Sequence, residues 1–407
     1  MLEELKGKRR SRSNLGRRER DLTLLSFSSQ LCHVQRLAQG SGDGYSNIDN
    51  LGAWECGLCT FRTLEEVPYA HREKFGKFFS SILQKLQAAN TELEETRSLK
   101  WLLIAPQLLL REGKRGGRRG QGNAALSTRF EMATEGNYGG LLEDLKRDKE
   151  AQPERGRQGD GEKGERQKQE GLRKTVLNLL TRGQVGRAVR RLTSNGIANL
   201  DEEWVEEALK AKYTDRGRPM PAKGRCLESL PCLKETLLNL QPGIAPGFGG
   251  LRGEHLRSLG EVWQDGDIER LENFALAYLN GELRPWFYTI WNSVTTVPLF
   301  KTAERDTLRP LGIKPSFLRV VHKEVVTANR ATLTTFLEPQ QLALTRAGGF
   351  ILVHGVRIMA EEMRGREGWV VVKLDVANAH NEVSRAETQS VLAILQCTGH
   401  CLHASGS

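Results

Sequence analysis

Apolar residues recur at three- and four-residue intervals at Phe75, Phe78, Phe79, Ile82, Leu83 and Leu86, the spacing of one face of an amphipathic helix. From Val176 onward the same texture returns with clear punctuation. Helices are predicted over Val176–Leu192, from a cap at Asn199 or Asp201 through Lys210, and over Leu233–Leu240, Ile268–Leu279 and Lys323–Phe336, with another reaching Met363. Glu202 and Glu203 fall in a first turn, where the helix dipole favours carboxylates. Two stretches read as strands, Val294–Phe300 and Val370–Leu374. The second is an apolar, β-branched run of the kind found in strands covered on both faces. Gln241 to Leu251 is dense in Pro and Gly and marks a shaped loop. Phe130 to Leu145 offers a single short helix.

The pattern fades in three places. Arg111 to Gly122 is a Gly/Arg tract, and Lys146 to Gly171 mixes both charge signs with almost nothing to bury, so neither offsets its ordering entropy. The first reads as a flexible connector or a non-specific RNA contact, the second as a linker. The first twenty residues carry eight Lys/Arg against three Glu, the composition of a nuclear-localisation or phosphate-contacting arm, or of a solvated terminus. With 38% apolar residues and 42 glycines in 407, a folded C-terminal half and a looser N-terminal half are expected. A net charge of +10, clustered along the chain, favours RNA and DNA as partners before a membrane. Seven cysteines without regular spacing and no secretory leader point to a reducing compartment, nuclear or cytoplasmic. The longest apolar run, Trp101 to Leu110, is too short to span a bilayer, so no membrane anchor and no particular protein partner are implied.

Two places carry candidate chemistry. Asp375 stands at the exit of the Val370–Leu374 run, before Asn378-Ala379-His380-Asn381. Such a carboxylate is either a divalent-metal ligand or a helix cap. Cys56 and Cys59 form a Cys-x-x-Cys pair with His71 twelve residues later, three donors suited to zinc. A fourth is needed, and four residues after His71 stands Phe75; Cys32 or His33 would have to complete the site from upstream. Cys397, His400, Cys401 and His403 bunch at the tail without folded context and read as incidental.

Leu374-Asp375-Val376-Ala377-Asn378-Ala379-His380-Asn381-Glu382-Val383-Ser384-Arg385 resembles the first palm motif of reverse transcriptases of non-long-terminal-repeat retroelements, "LDV.NAFN.VSR". Further segments resemble that family in order. Pro246-Gly247-Phe248-Gly249-Gly250-Leu251 with Glu254-His255-Leu256 is similar to its "PGPDGL…EHL" loop and helix. Asn280 to Pro285 and Val297 to Lys301 resemble a helix end and the first fingers strand, Leu308 to Gly312 its "RPI" strand, and Leu337 to Gly349 its "L.P.Q…GG" approach to the palm. A weaker likeness extends to Trp101–Arg111 and Leu192–Gly196.

The resemblance implies that Asp375 is catalytic and takes Mg²⁺ with the Val376 carbonyl, and that Lys301 and Arg309 face a nucleoside triphosphate. A fork-shaped Arg suits phosphate, and nucleotidyl transfer needs metals and cations around it. His380 occupies the position of the family's sugar-screening aromatic, which puts nucleotide selection in doubt. Gly249 and Ala343 replace a usual Asp and Gly. Only 22 residues follow Arg385, without the family's Asp-Asp hairpin, so a truncated, non-polymerising form is expected. The Cys56, Cys59, His71 set resembles the first ligands of a Cys-Cys-His-His finger of the same elements.

The fold implied is α+β, a partial right-hand polymerase (fingers and start of palm) preceded by a mainly helical and partly disordered N-terminal region. The expected divisions are a basic arm at 1–50, a zinc-finger-like module at 51–80, a helical region at 81–140, a charged linker at 141–172 and the partial polymerase at 173–407. Two alternatives stay open. One is a zinc-finger-type nucleic-acid-binding protein with the polymerase remnant as scaffold; the other is an incomplete gene model of an active reverse transcriptase.

Overall fold

The computed structural model describes residues 44–49, 61–112, 119–151, 162–181, 183–212, 229–370, 372 and 387. Along them run α1 (Arg72–Gln87), α2 (Glu92–Leu110), α3 (Arg119–Thr134), α4 (Tyr138–Glu150), α5 (Glu162–Thr181), α6 (Val185–Leu192) and α7 (Glu203–Lys212). Then come α8 (Leu233–Leu238), α9 (Gly253–Val262), α10 (Asp265–Leu279), α11 (Pro285–Trp291), the strands β1 (Thr295–Phe300) and β2 (Leu308–Ile313), α12 (Ser316–Ala328), α13 (Arg330–Leu337) and α14 (Gly348–Glu362). The described protein is therefore α+β, mostly helical with one two-stranded antiparallel sheet. No described helix is long and apolar enough to cross a membrane.

The chain divides into two interleaved units. The first takes 1–153, 226–294 and 314–324; the second takes 154–225, 295–313 and 325–407. In the first unit, α1 buries Phe75, Phe78, Phe79, Ile82 and Leu83, as its spacing predicts. The apolar run Trp101 to Leu110 becomes the buried part of α2. That helix starts at a capping box, with Thr91 Oγ1 accepting the Glu94 N–H at 3.3 Å and the Glu94 carboxylate accepting the Thr91 N–H at 3.2 Å. Trp263 donates its indole N–H to the Gly76 carbonyl at 3.0 Å, tying α1 to the end of α9. Phe274, Phe287, Trp291 and Phe317 form an aromatic cluster joining α10, α11 and α12.

Several expected helices are broken where the chain provides a stop. Phe130 to Leu145 spans parts of two helices, because Gly136 adopts φ +70° between α3 and α4. Val176–Leu192 is likewise split at Gly183, where the N–H of Gly183 bonds to Leu180 O and that of Gln184 to Leu179 O, closing α5. Lys323–Phe336 is interrupted at Asn329, whose side-chain amide bonds to Val325 O at 2.8 Å.

Two expectations are corrected. Residues 162–171, read as linker, belong to α5. Glu170 pairs with Lys174, and the buried Val176 anchors the far end of the helix. Arg111, read as the start of a flexible tract, is 1% exposed. Its guanidinium is clasped by Asp144 and Asp148 and donates to the Leu108 carbonyl at 2.6 Å. Of the expected strand Val370–Leu374, Val370 and Val372 are described and exposed, while residues 371, 373 and 374 lie outside the described residues.

Candidate functional site

In the second unit the hairpin β1–β2 presents two of the implicated side chains together. Its register pairs Val297 with Leu311, Pro298 with Pro310, Leu299 with Arg309 and Phe300 with Leu308, and the Lys301 N–H bonds to Thr307 O at 2.9 Å. Side chains alternate along a strand, and directly opposed residues share a face. Phe300 and Leu308 therefore lie on one face, where they join Ala198, Val205, Ala208 and Leu209 in a small core beneath α7. Val297, Leu299, Lys301, Arg309 and Leu311 lie on the other, where Lys301, Arg309 and Leu311 are exposed. Among the described residues neither Lys301 nor Arg309 has an acidic partner.

The segment after α6 extends this sheet by a bridge between Ile197 and Leu299, with the Ala198 N–H on Pro298 O at 2.9 Å and the Phe300 N–H on Gly196 O at 3.1 Å. Pro298 and Phe300 thus direct their backbone groups away from β2, which is why two opposed prolines leave the β1–β2 ladder intact. Asn195 donates from Nδ2 to the Lys301 carbonyl at 3.2 Å, fixing the backbone that carries the lysine. At the hairpin tip Asp306 accepts from the Thr302 and Thr307 hydroxyls at 2.6 and 3.1 Å, and those bonds hold its carboxyl below the usual range. Arg305 lies over the Phe300 ring, 5.6 Å from its centroid.

The Pro/Gly loop and its Glu-His-Leu sequel belong to the first unit and are locked from within. Glu254 accepts the Gly243 N–H, Arg319 donates to Ala245 O at 3.0 Å, and Thr63 donates its hydroxyl to Gly250 O at 2.7 Å. His255 is fully buried. Its Nδ1 accepts the Arg252 N–H at 3.2 Å, which leaves Nε2 protonated and donating to Leu64 O at 2.8 Å. Burial pushes the imidazole down to about 4 despite the Leu64 bond, and Arg252 adds to the shift, so the ring is neutral. Gly249, at φ +80°, occupies a backbone conformation that glycine adopts freely, which accounts for Gly where the resembling motif has Asp. Thr63 and Arg319 carry no sequence signal for this role; Glu254 and His255 were visible as a motif but not as a lock.

Of the candidate zinc ligands, His71 is described. It precedes α1, its ring stacks on Phe130 at 4.6 Å, and its buried Nδ1 has no hydrogen-bond partner among the described residues. Burial and Lys74 lower its pKa while Glu131 raises it. Phe75, at the position of an absent fourth ligand, is core. Cys32, His33, Cys56 and Cys59, like Asp375, Val376 and His380, lie outside the described residues. Among the described residues no group of three or more His, Cys, Asp or Glu is placed to hold a metal. Comparison with protein-family models, curated proteins and solved structures returned no match.

Proposed function

We propose that this chain is a reverse-transcriptase-type polypeptide of the non-long-terminal-repeat retroelement class, in which β1–β2 is the fingers hairpin and contacts the phosphates of RNA, DNA and the incoming nucleotide. The observation that carries the reading is the register that sets Lys301 and Arg309 on one exposed face without a described acidic partner. Support comes also from the order of the motif segments over 241 to 385. In this reading Asp375 and the Val376 carbonyl, hard oxygen donors of the kind Mg²⁺ takes, are the proposed metal ligands, with His380 beside the sugar. When bound, the metal would supply charge neutralisation at the reacting phosphate. Its proposed site of action is the nucleus or the cytoplasm.

The test is equilibrium binding of a labelled primer–template to wild type and to Lys301→Gln/Arg309→Gln across a salt series. Losing two phosphate contacts should weaken binding about tenfold near 0.1 M salt and reduce the salt slope by roughly 1.4–1.8. Identical curves would reject the hairpin as the contact surface. A second reading, a zinc-dependent nucleic-acid-binding protein, is favoured by the buried Nδ1 of His71, which has no partner among the described residues. It requires that Cys56→Ser, Cys59→Ser and His71→Gln each abolish both zinc uptake and RNA binding, whereas the first reading leaves RNA binding in place.

A further inference from the structure

Residues 171–200 hold six basic side chains, Arg173, Lys174, Arg182, Arg187, Arg190 and Arg191, and no Asp or Glu. Three of them share α6. At 3.6 residues per turn, Val185, Ala188, Val189 and Leu192 fall on one side of that helix and Arg187, Arg190 and Arg191 on the other. Ala188 is buried, while Arg190 and Arg191 are exposed and have no carboxylate partner among the described residues. Arg190 donates from Nε to Gly186 O at 3.2 Å, which lays its guanidinium along its own helix.

Chain continuity relates this face to the hairpin. Leu192 ends α6, and Asn195 and Gly196 are already bonded to the backbone of Lys301 and Phe300. Four residues, from Arg191 to Asn195, span at most about 14 Å. Phosphates repeat about every 3.4 Å along a stacked strand, so an oligonucleotide of several residues is long enough to reach both groups.

We propose that Arg190 and Arg191 continue the Lys301–Arg309 face as one track for the backbone of a single-stranded nucleic acid; the inference rests on the hairpin reading above. Charge complementarity favours this occupant. A membrane-surface helix would dock through its apolar side, and that side of α6, where Val185, Val189 and Leu192 are exposed beside the buried Ala188, has no aromatic residue and is only two turns long.

The experiment uses the full chain and a labelled 20-nucleotide oligouridine in a salt titration, with melting curves to confirm folding. Arg190→Gln/Arg191→Gln and Lys301→Gln/Arg309→Gln should each lower the slope of log affinity against log salt by about 1.4, since each phosphate contact contributes roughly 0.7 on single strands. Combining all four should lower it by about 2.8, and Arg190→Lys/Arg191→Lys should keep the wild-type slope. If the hairpin variant lowers the slope and the α6 variant does not, the track is overturned and the hairpin reading stands. If neither does, both fall. An effect of the α6 variant alone would reject the hairpin reading and with it a continuous track. Loss of binding to phosphatidylserine vesicles with RNA binding unchanged would make α6 a membrane contact and overturn the proposal.

Discussion

Glu254 and His255 in the first unit and Lys301 and Arg309 in the second come from the same ordered series of motif segments, and they end in opposite environments. The first pair is buried, with Glu254 Oε1 and both ring nitrogens of His255 bonded to backbone groups of the loop, of Arg252 and of Leu64. The second pair is exposed and, among the described residues, meets no carboxylate. A buried polar group is costly unless satisfied, so its partners identify it as scaffolding. An exposed cation without an internal partner gives up little when it meets a phosphate. Polar side chains from one motif series therefore hold the loop in one unit and, among the described residues, stand clear of carboxylates in the other.

Arg111 probes this contrast most severely, because by composition it belongs with the arginines proposed to contact RNA and by environment with the scaffold. Removing one partner of a buried charge network leaves the others uncompensated, typically at about 3–5 kcal/mol. Arg111→Gln should cost close to that in chemical denaturation and leave the salt slope of RNA binding unchanged. A stable variant with a flatter slope would return Arg111 to the binding surface.

His255 gives the next largest effect, and a pH signature. Its pKa in the folded chain, about 4, lies below the ordinary 6.5, so the unfolded chain takes up the proton first. The stability associated with the neutral ring is therefore full above about pH 6.5 and is lost as pH falls toward 4. About 2.5 units correspond to roughly 3 kcal/mol. His71 and His322, also lowered by burial, act in the same direction. The slope of stability between pH 6.5 and 4 should flatten in His255→Gln, which is neutral throughout. A wild-type slope in that variant would mean that other groups carry the acid sensitivity.

Thr91 tests a smaller piece of the same scaffold. Thr91→Ala removes the cap of α2 and should cost about 1 kcal/mol without touching nucleic-acid affinity. No loss in denaturation would mean that water satisfies the Glu94 N–H equally well.

What the sequence disclosed depended on the range of the interaction. Helix faces such as Phe75 to Leu83 and the strand over 295–300 were legible because local periodicity fixes them. The stops at Gly136, Gly183 and Asn329 were overlooked inside apolar patterns that continue past them. Arg111 was misread because its partners lie 33 and 37 residues away, and no local pattern announces a buried ion pair. Lys301 and Arg309 were singled out by resemblance alone, and their common face follows from a register that depends on the whole hairpin.

The smallest expected effect on stability falls on the hairpin itself and completes the contrast with Arg111. Lys301 and Arg309 are exposed, cap no helix and bury no unsatisfied group, so Lys301→Gln/Arg309→Gln should change unfolding free energy by less than about 0.5 kcal/mol. Removing two like charges from neighbouring positions on one face relieves repulsion, so any change should be stabilising and should shrink as salt is added. Urea denaturation of wild type and variant at low and at high salt reads both sign and screening. A destabilisation of 1 kcal/mol or more would show that the two side chains hold the fold together, and the distinction between scaffold in one unit and free charge in the other would then fail at its most exposed point.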